Sequence, residues 1–200
     1  MCGIAGSVNF RLDIPRLTRD LWHRGPDEQT TCEDGLVQLH HHRLAILDIA
    51  GGRQPMNRGN LTIIFNGEVY NHKEVREQFQ LNCTTKSDTE TILAAYEKRG
   101  PACLDAFDGM FALAIYDKGS NKLFIARDRA GKKPLYYYTA GNAFVFCSEL
   151  NALQWQVNDC VNEIHLQQFV RMGYFCKSAT PYKNIHELPA GSFATIDISI

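Results

Sequence analysis

Met110-Phe111-Ala112-Leu113-Ala114-Ile115-Tyr116, Leu123-Phe124-Ile125-Ala126-Arg127, Leu135-Tyr136-Tyr137-Tyr138 and Ala143-Phe144-Val145-Phe146-Cys147 are four apolar runs of strand length, separated by polar segments that carry Gly119, Gly131 and Gly141. Aliphatic and aromatic runs of this length, punctuated by turn residues, read as sheet strands. Upstream, Ile4–Phe10, Gln38–Ile49 and Leu61–Asn66 have the same character, with Gly51-Gly52 and Asn57-Arg58-Gly59-Asn60 marking turns between them. Helices are expected elsewhere. Asp13–Trp22 suits a short one, and Asn71 with Glu74 and Ser87 with Glu90 each match a capping residue followed three positions on by a glutamate that reaches back. The second of these carries Ile92, Leu93 and Tyr96 on one face and stops at Gly100-Pro101. Beyond Ser148 the pattern predicts a helix over Glu163–Met172, a loop through Lys177–Asn184 and a last strand, Ser192–Ile198. Grouped strands and grouped helices without regular βαβ alternation predict an α+β fold with largely antiparallel sheets. No repeat or linker divides the 200 residues, so they read as one domain.

Composition narrows the function. A net charge of −1 with scattered charges provides no field to gather nucleic acid or anionic lipid, and 44% hydrophobic content is that of a folded globule. No run reaches the roughly 18 apolar residues needed to span a bilayer, and no leader pattern opens the chain, so the reading is a soluble cytoplasmic protein. Seven cysteines, odd in number, widely spaced and never in a C-x-x-C pair, argue against a disulfide framework or a thiol-rich metal site.

Cys2 stands directly behind Met1. Removal of one methionine would place a thiol and a free α-amine on one residue. A free thiol ionises near ~8.5 and an α-amine near ~7.7–8.0, so the amine is partly unprotonated at neutral pH and can serve as the thiol's base. An amide-splitting site of this kind also needs oxyanion donors and charges that recognise the substrate's ends. Asn66 and Gly67 offer a side-chain amide and an unobstructed backbone N–H, although Asn-Gly is also a common hairpin turn. Arg43, in a strand-like apolar run, requires an anion, either a substrate carboxylate or a structural partner such as Asp27 or Asp48. Asp88 could accept a substrate ammonium or simply favour a helix start.

Taken together, Met1-Cys2-Gly3-Ile4-Ala5-Gly6, His23-Arg24-Gly25-Pro26-Asp27, His42-Arg43-Leu44-Ala45-Ile46-Leu47-Asp48, Asn66-Gly67-Glu68-Val69-Tyr70-Asn71-His72, Ser87-Asp88-Thr89-Glu90, Phe107-Asp108-Gly109-Met110-Phe111-Ala112 and Arg127-Asp128-Arg129-Ala130-Gly131-Lys132-Lys133-Pro134-Leu135 resemble, in order, the glutaminase domain of asparagine synthetase B-type enzymes. These are class II glutamine amidotransferases of the N-terminal nucleophile hydrolase superfamily. The resemblance implies a four-layer αββα sandwich, two antiparallel sheets flanked by helices. It implies Cys2 as nucleophile, Asn66 and Gly67 as oxyanion hole, Arg43 on the glutamine α-carboxylate, Glu68 and Asp88 on its α-amino end, and Leu44, Ala45, Ile46 and Leu47 lining the pocket floor. The reaction so implied converts L-glutamine to L-glutamate and ammonia without a cofactor in this domain. ATP and magnesium belong to a C-terminal synthetase domain whose Ser-Gly-Gly-x-Asp-Ser loop does not occur in these residues. That domain of the same polypeptide is the expected partner, most simply one that makes asparagine from aspartate, with assembly as a homodimer left open. Amidotransfer to another carboxylate or sugar, and a non-catalytic glutamine-binding or interaction domain, are the alternatives. Ala45 and Ala130 depart from commoner residues of the family without touching the implied chemistry.

Other motifs have plainer readings. His40-His41-His42 could present only His40 and His42 on one strand face, too few for a metal. Arg127, Arg129, Lys132 and Lys133 lack a phosphate-binding glycine pattern and read as a solvated loop. Tyr136-Tyr137-Tyr138 reads as sheet core and edge, not as a base-stacking platform.

Overall fold

The computed structural model describes residues 1–198. Its strands are β1 (Gly3–Val8), β2 (Glu28–Asp34), β3 (Val37–Arg43), β4 (Met56–Arg58), β5 (Leu61–Val69), β6 (Gly109–Asp117), β7 (Lys122–Arg127), β8 (Tyr136–Ala140), β9 (Ala143–Cys147), β10 (Ile185–Glu187) and β11 (Phe193–Asp197). The helices are α1 (Ile14–Asp20), α2 (His72–Gln78), α3 (Asp88–Arg99), α4 (Leu150–Val157) and α5 (Glu163–Met172), with a 3-10 turn over Gly100–Ala106 after α3. One antiparallel sheet runs β10-β8-β9-β1-β3-β2 and the other β11-β7-β6-β5-β4.

Strand alternation builds three cores from these two sheets. Ile4 on β1, Ile64 on β5, Ala114 on β6, Ile125 on β7 and Phe146 on β9 all turn into one cluster between the sheets. Their chain neighbours turn the other way. Ala5 and Val145 meet Leu17 and Leu21 near α1 and Leu153 of α4, whereas Ile63, Leu113 and Phe124 meet Val75 of α2 and Ile92 and Leu93 of α3. A strand buried on both faces reads as a continuous apolar run, as Met110–Tyr116 does. The result is four layers, helices, sheet, sheet, helices.

Several expectations require correction. The strand read from Gln38 to Ile49 ends at Arg43, because the chain then doubles back on itself. Asp48 takes a left-handed φ of 46°, its carbonyl accepts from Gly52 N at 2.7 Å, and its carboxylate accepts from Gly51 N at 2.9 Å. β2 was not foreseen, since Glu28-Gln29-Thr30-Thr31-Cys32-Glu33-Asp34 is a polar edge strand with no apolar alternation. α4 was also missed. Asn71 makes no side-chain cap; its amide instead bonds Ala106 O at 2.8 Å and Asp108 N at 2.8 Å. Ser87 does cap α3 through Thr89 N, but Glu90 turns away from it to take the N–H and hydroxyl groups of Thr84 and Thr85. The segment read as a solvated basic loop is only partly so. Lys132 is exposed, whereas Arg127 and Lys133 are buried.

Candidate active site

The nucleophile candidate sits where the register of the first sheet places it. β1 is central in that sheet, and its first residue, Gly3, pairs with His42 near the end of β3. Cys2 therefore lies beside the point where the chain leaves β3, and Leu44 N approaches Sγ at 3.4 Å. Arg24 Nε donates to Cys2 O at 2.9 Å, and the same guanidinium is paired with Glu149, which holds the carbonyl side of Cys2 in place. Burial pushes the Cys2 thiol above its ordinary value, more than the Leu44 N–H and the positive charges of the amino terminus, Arg43 and Arg24 pull it down. That favours the thiol over the thiolate. Among the described residues no imidazole or carboxylate hydrogen-bonds its sulfur.

β5 of the other sheet supplies the facing wall. Phe111, across from Gly67 on β6, directs both of its backbone groups to Asp128, donating to Oδ2 at 3.1 Å and accepting from Asp128 N at 2.8 Å. The Gly67 pair is therefore a non-hydrogen-bonded one, and the N–H groups of odd-numbered β5 residues point away from β6. Their partners bear this out: Phe65 N donates to Gln54 Oε1 at 2.6 Å and Val69 N to Asp88 Oδ2 at 3.0 Å. Between them Gly67 N–H emerges past the end of β4, which stops its pairing at Met56↔Ile63. Glycine is needed here for a reason the sequence did not show. A Cβ on residue 67 would lie 2.1 Å from Met110 O. The Asn66-Gly67 pair is strand, not the hairpin turn its composition allowed.

Asn66 is 1% exposed, and neither its Nδ2 nor its Oδ1 has a hydrogen-bond partner among the described residues. Two orphaned polar atoms at that depth are costly, of order 1–3 kcal/mol each, and mark a group kept for something other than stability. Cys2, Arg43, Leu44, Ile46, Leu47, Asn66, Gly67, Glu68 and Asp88 line a single cleft of about 140 Å³. That is below the ~300–1,000 Å³ of sites for drug-sized ligands and matches an amino-acid-sized occupant.

Arg43, 5% exposed, finds its anion in Glu28 at 3.3 Å, not in Asp27 or the Asp48 carboxylate, and its remaining donors reach Ile49 O at 2.9 Å and Asp48 O at 3.1 Å. The guanidinium is thus held rigid at the cleft wall by the turn that ends β3. Asp88 opens α3 at 4% exposure, and burial pushes its carboxyl up to about 6, against the pull of the Val69 and Thr89 N–H groups. Ala45 is the one expected site residue outside the cleft lining; its N–H is turned to Asp27 Oδ2 at 2.8 Å.

Sequence reasoning passed over Gln54, Ser87, Thr89, Met110 and Lys133, which also line the cleft. Gln54 clamps two walls together, accepting from Phe65 N and donating to Thr89 Oγ1 at 3.3 Å. A polar residue between Gly52 and Pro55 carries no periodic signal, and nothing local separates buried Lys133 from exposed Lys132.

Comparison with known proteins adds a family to this geometry. A family model described as a glutamine amidotransferase domain matches residues 1–199. The chain is 34% identical over 228 aligned residues to putative asparagine synthetase [glutamine-hydrolyzing] 2 of Methanocaldococcus jannaschii, covering 99% of this chain and 44% of that protein. It is 40% identical to asparagine synthetase [glutamine-hydrolyzing] 3 of Bacillus subtilis, covering 76% of this chain and 27% of the relative. With asparagine synthetase B of Escherichia coli it shares 38%, covering 76% and 30%. The chain thus spans less than half the length of each of these relatives. Among solved structures, an allosteric regulatory enzyme of purine biosynthesis superposes with a TM-score of 0.66 at 21% identity, over 98% of this chain and 47% of that one. A glutamine phosphoribosylpyrophosphate amidotransferase from B. subtilis does so at 0.61 and 19%, over 100% and 50%. At those identities the likeness establishes the fold.

Proposed function

Because the chain belongs to the glutamine amidotransferase domain family, we propose that it hydrolyses L-glutamine to L-glutamate and ammonia through a thioester on Cys2. The observation that carries this reading is the pairing, across one cleft, of the Cys2 thiol with the Asn66 carboxamide, which has no hydrogen-bond partner among the described residues. In the proposed reaction Met1 has been removed, and the α-amine of Cys2 takes the proton from Sγ as the sulfur attacks the glutamine side-chain carbonyl. A buried thiol held toward its neutral form needs such a base, and among the described residues no imidazole hydrogen-bonds its sulfur. Asn66 Nδ2 and Gly67 N–H hold the oxyanion. The ammonium then returns its proton to the departing nitrogen, which leaves as ammonia, and water cleaves the thioester with the amine again as base. Arg43 holds the α-carboxylate, and Glu68 and Asp88 the α-ammonium.

The ammonia would pass to an ATP-dependent synthetase unit on the same polypeptide, with aspartate as acceptor. The names of the relatives and their greater length support this. ATP and magnesium would act in that unit. No helix among the described residues is long and apolar enough to cross a membrane.

The test compares wild type with Cys2→Ala. The expected result is stoichiometric glutamate and ammonia from the first and none from the second, with mass analysis finding a chain that starts at Cys2. A thiol-directed glutamine analogue should modify Cys2 alone. Equal ammonia release by both proteins, or label distributed over Cys32 and Cys147, would sink the reading.

A further inference from the structure

Lys133 is an unusual lysine for its position. It is 5% exposed, lines the same cleft as Cys2, and lies on the segment that follows β7. Burying an ammonium is costly unless an anion accompanies it. Yet the one hydrogen-bond partner of its Nζ among the described residues is Met1 Sδ, at 3.1 Å. The nearby carboxylate of Asp128 is fully engaged by the backbone N–H groups of Phe111, Ala130, Lys132 and Lys133 itself. Removal of Met1 takes that sulfur away and leaves the ammonium in the cleft that Cys2 lines.

We propose that Lys133 is a positioning residue for glutamine hydrolysis: its charge, fixed in the cleft beside the processed amino terminus, keeps the α-amine of Cys2 in the free-base form that removes the thiol proton. The inference rests on the glutaminase reading above and assigns the base a cause. The other charges around that amine are accounted for. Arg24 disfavours a positive charge on the Met1 amine and donates to Cys2 O, but its guanidinium is neutralised by Glu149. Arg43 of β3 is paired with Glu28. Asp27, and Cys2 when ionised, favour the ammonium form of the Met1 amine. Glu68 of β5 and Asp88 of α3 are the remaining carboxyls of the cleft. Lys133 is the cation of this set without an ion pair among the described residues. The Met1 amine, one residue before the amine that processing would free, is held below its ordinary value first by burial and then by Arg24 and Lys133. Lys133 is itself lowered by burial and by Arg24.

The experiment titrates the α-amine of the processed protein directly, by competitive acylation followed by peptide mass spectrometry, in wild type, Lys133→Met and Lys133→Arg. A like charge at close range shifts a titration by roughly one unit or more. Removing it should raise the amine's pKa by about that much in Lys133→Met, with Lys133→Arg staying at the wild-type value. The acidic limb of kcat/KM for glutamine should move upward in pH to match, a loss of about tenfold at pH 6 that fades by pH 9. Thermal melting of both variants reports folding separately. Superimposable amine titrations, or a uniform fall in kcat/KM with an unmoved limb, would overturn the proposal. Absence of ammonia release by wild type at every pH would instead defeat the glutaminase reading, and the amine titration would still decide the role of Lys133.

Discussion

Asn66 and Asp88 show two ways in which single residues trade stability for a prepared site. Asn66 holds an amide in the interior with no hydrogen-bond partner among the described residues, so its truncation removes an unsatisfied group along with some packing. Asn66→Ala should lower kcat for glutamine by about 10²–10³-fold while leaving unfolding in urea within about 1 kcal/mol of wild type. Asp88 holds a carboxyl whose pKa rises from 3.8 to about 6 in the fold, chiefly through burial. Because the folded state prefers the protonated form, the stability this group contributes is present at low pH and lost as pH rises between those two values. Above them its charge costs about 3 kcal/mol. Asp88→Asn should therefore melt higher than wild type at pH 8, with the difference gone by pH 4. Its KM for glutamine should rise about 10- to 100-fold, since a charge-assisted contact to the α-ammonium is lost. At this scale much was legible beforehand. Cys2, Arg43, Asn66, Gly67, Glu68 and Asp88 could be named because each is a chemically distinctive residue in a motif. Lys133 could not, since its burial depends on packing that no short window encodes.

Elements place those residues, and α3 is the clearest case. Its first turn carries Asp88 into the cleft, and the segment before it is held by the Glu90 carboxylate, which accepts from the backbone N–H groups of Thr84 at 2.9 Å and Thr85 at 2.6 Å. Burial works against that carboxylate's charge, but the bonds from Thr85 and Thr84 outweigh it and hold Glu90 below its ordinary value. The sign is opposite to that of Asp88. Its contribution is present above pH 4.5 and lost as pH falls. Glu90→Ala should cost about 2–3 kcal/mol in urea at pH 7, narrowing toward pH 4. The capping pattern Ser87 to Glu90 located the start of α3 correctly, yet misassigned the glutamate's partner. A glutamate three residues past a cap can reach the cap or the incoming chain, and here the turn at Thr84-Thr85 presents more donors. The extent of β3 was likewise misjudged from apolar content alone, because Leu44–Ile49 is apolar without being strand. Ile46 is 74% exposed on the turn that Arg43 ties down.

For the whole molecule, function requires two sheets to be held in one relation, since Cys2 and Arg43 stand on one and Asn66 and Gly67 on the other. The core between the sheets sets their spacing, and two polar clamps cross it. His41 of β3 reaches Phe65 O of β5 at 3.3 Å, one residue from Asn66. Burial lowers its imidazole to about 3, so it stays neutral through the working pH range. Arg127 of β7 donates to Gly131 O at 2.7 Å, Lys133 O at 2.8 Å and Leu188 O at 2.6 Å, and pairs with Glu187 of β10 at 2.7 Å. Removing the guanidinium leaves three carbonyls without their donor and the half-buried Glu187 without its partner. Arg127→Met should therefore lower the free energy of unfolding by about 1–3 kcal/mol for each carbonyl left buried and unpaired, measured by urea titration. The amino-acid sequence by itself determined the α+β class, most strand positions and the residues with chemistry to offer, because alternation and motif are local properties of the chain. Only the tertiary structure decided that Gly67 N–H points away from β6 beyond the end of β4, that Asn66 has no hydrogen-bond partner among the described residues, and that one lysine of an adjacent pair is buried in the cleft that Cys2 lines. Those facts arise from register and from packing between sheets, which bring together groups more than sixty residues apart.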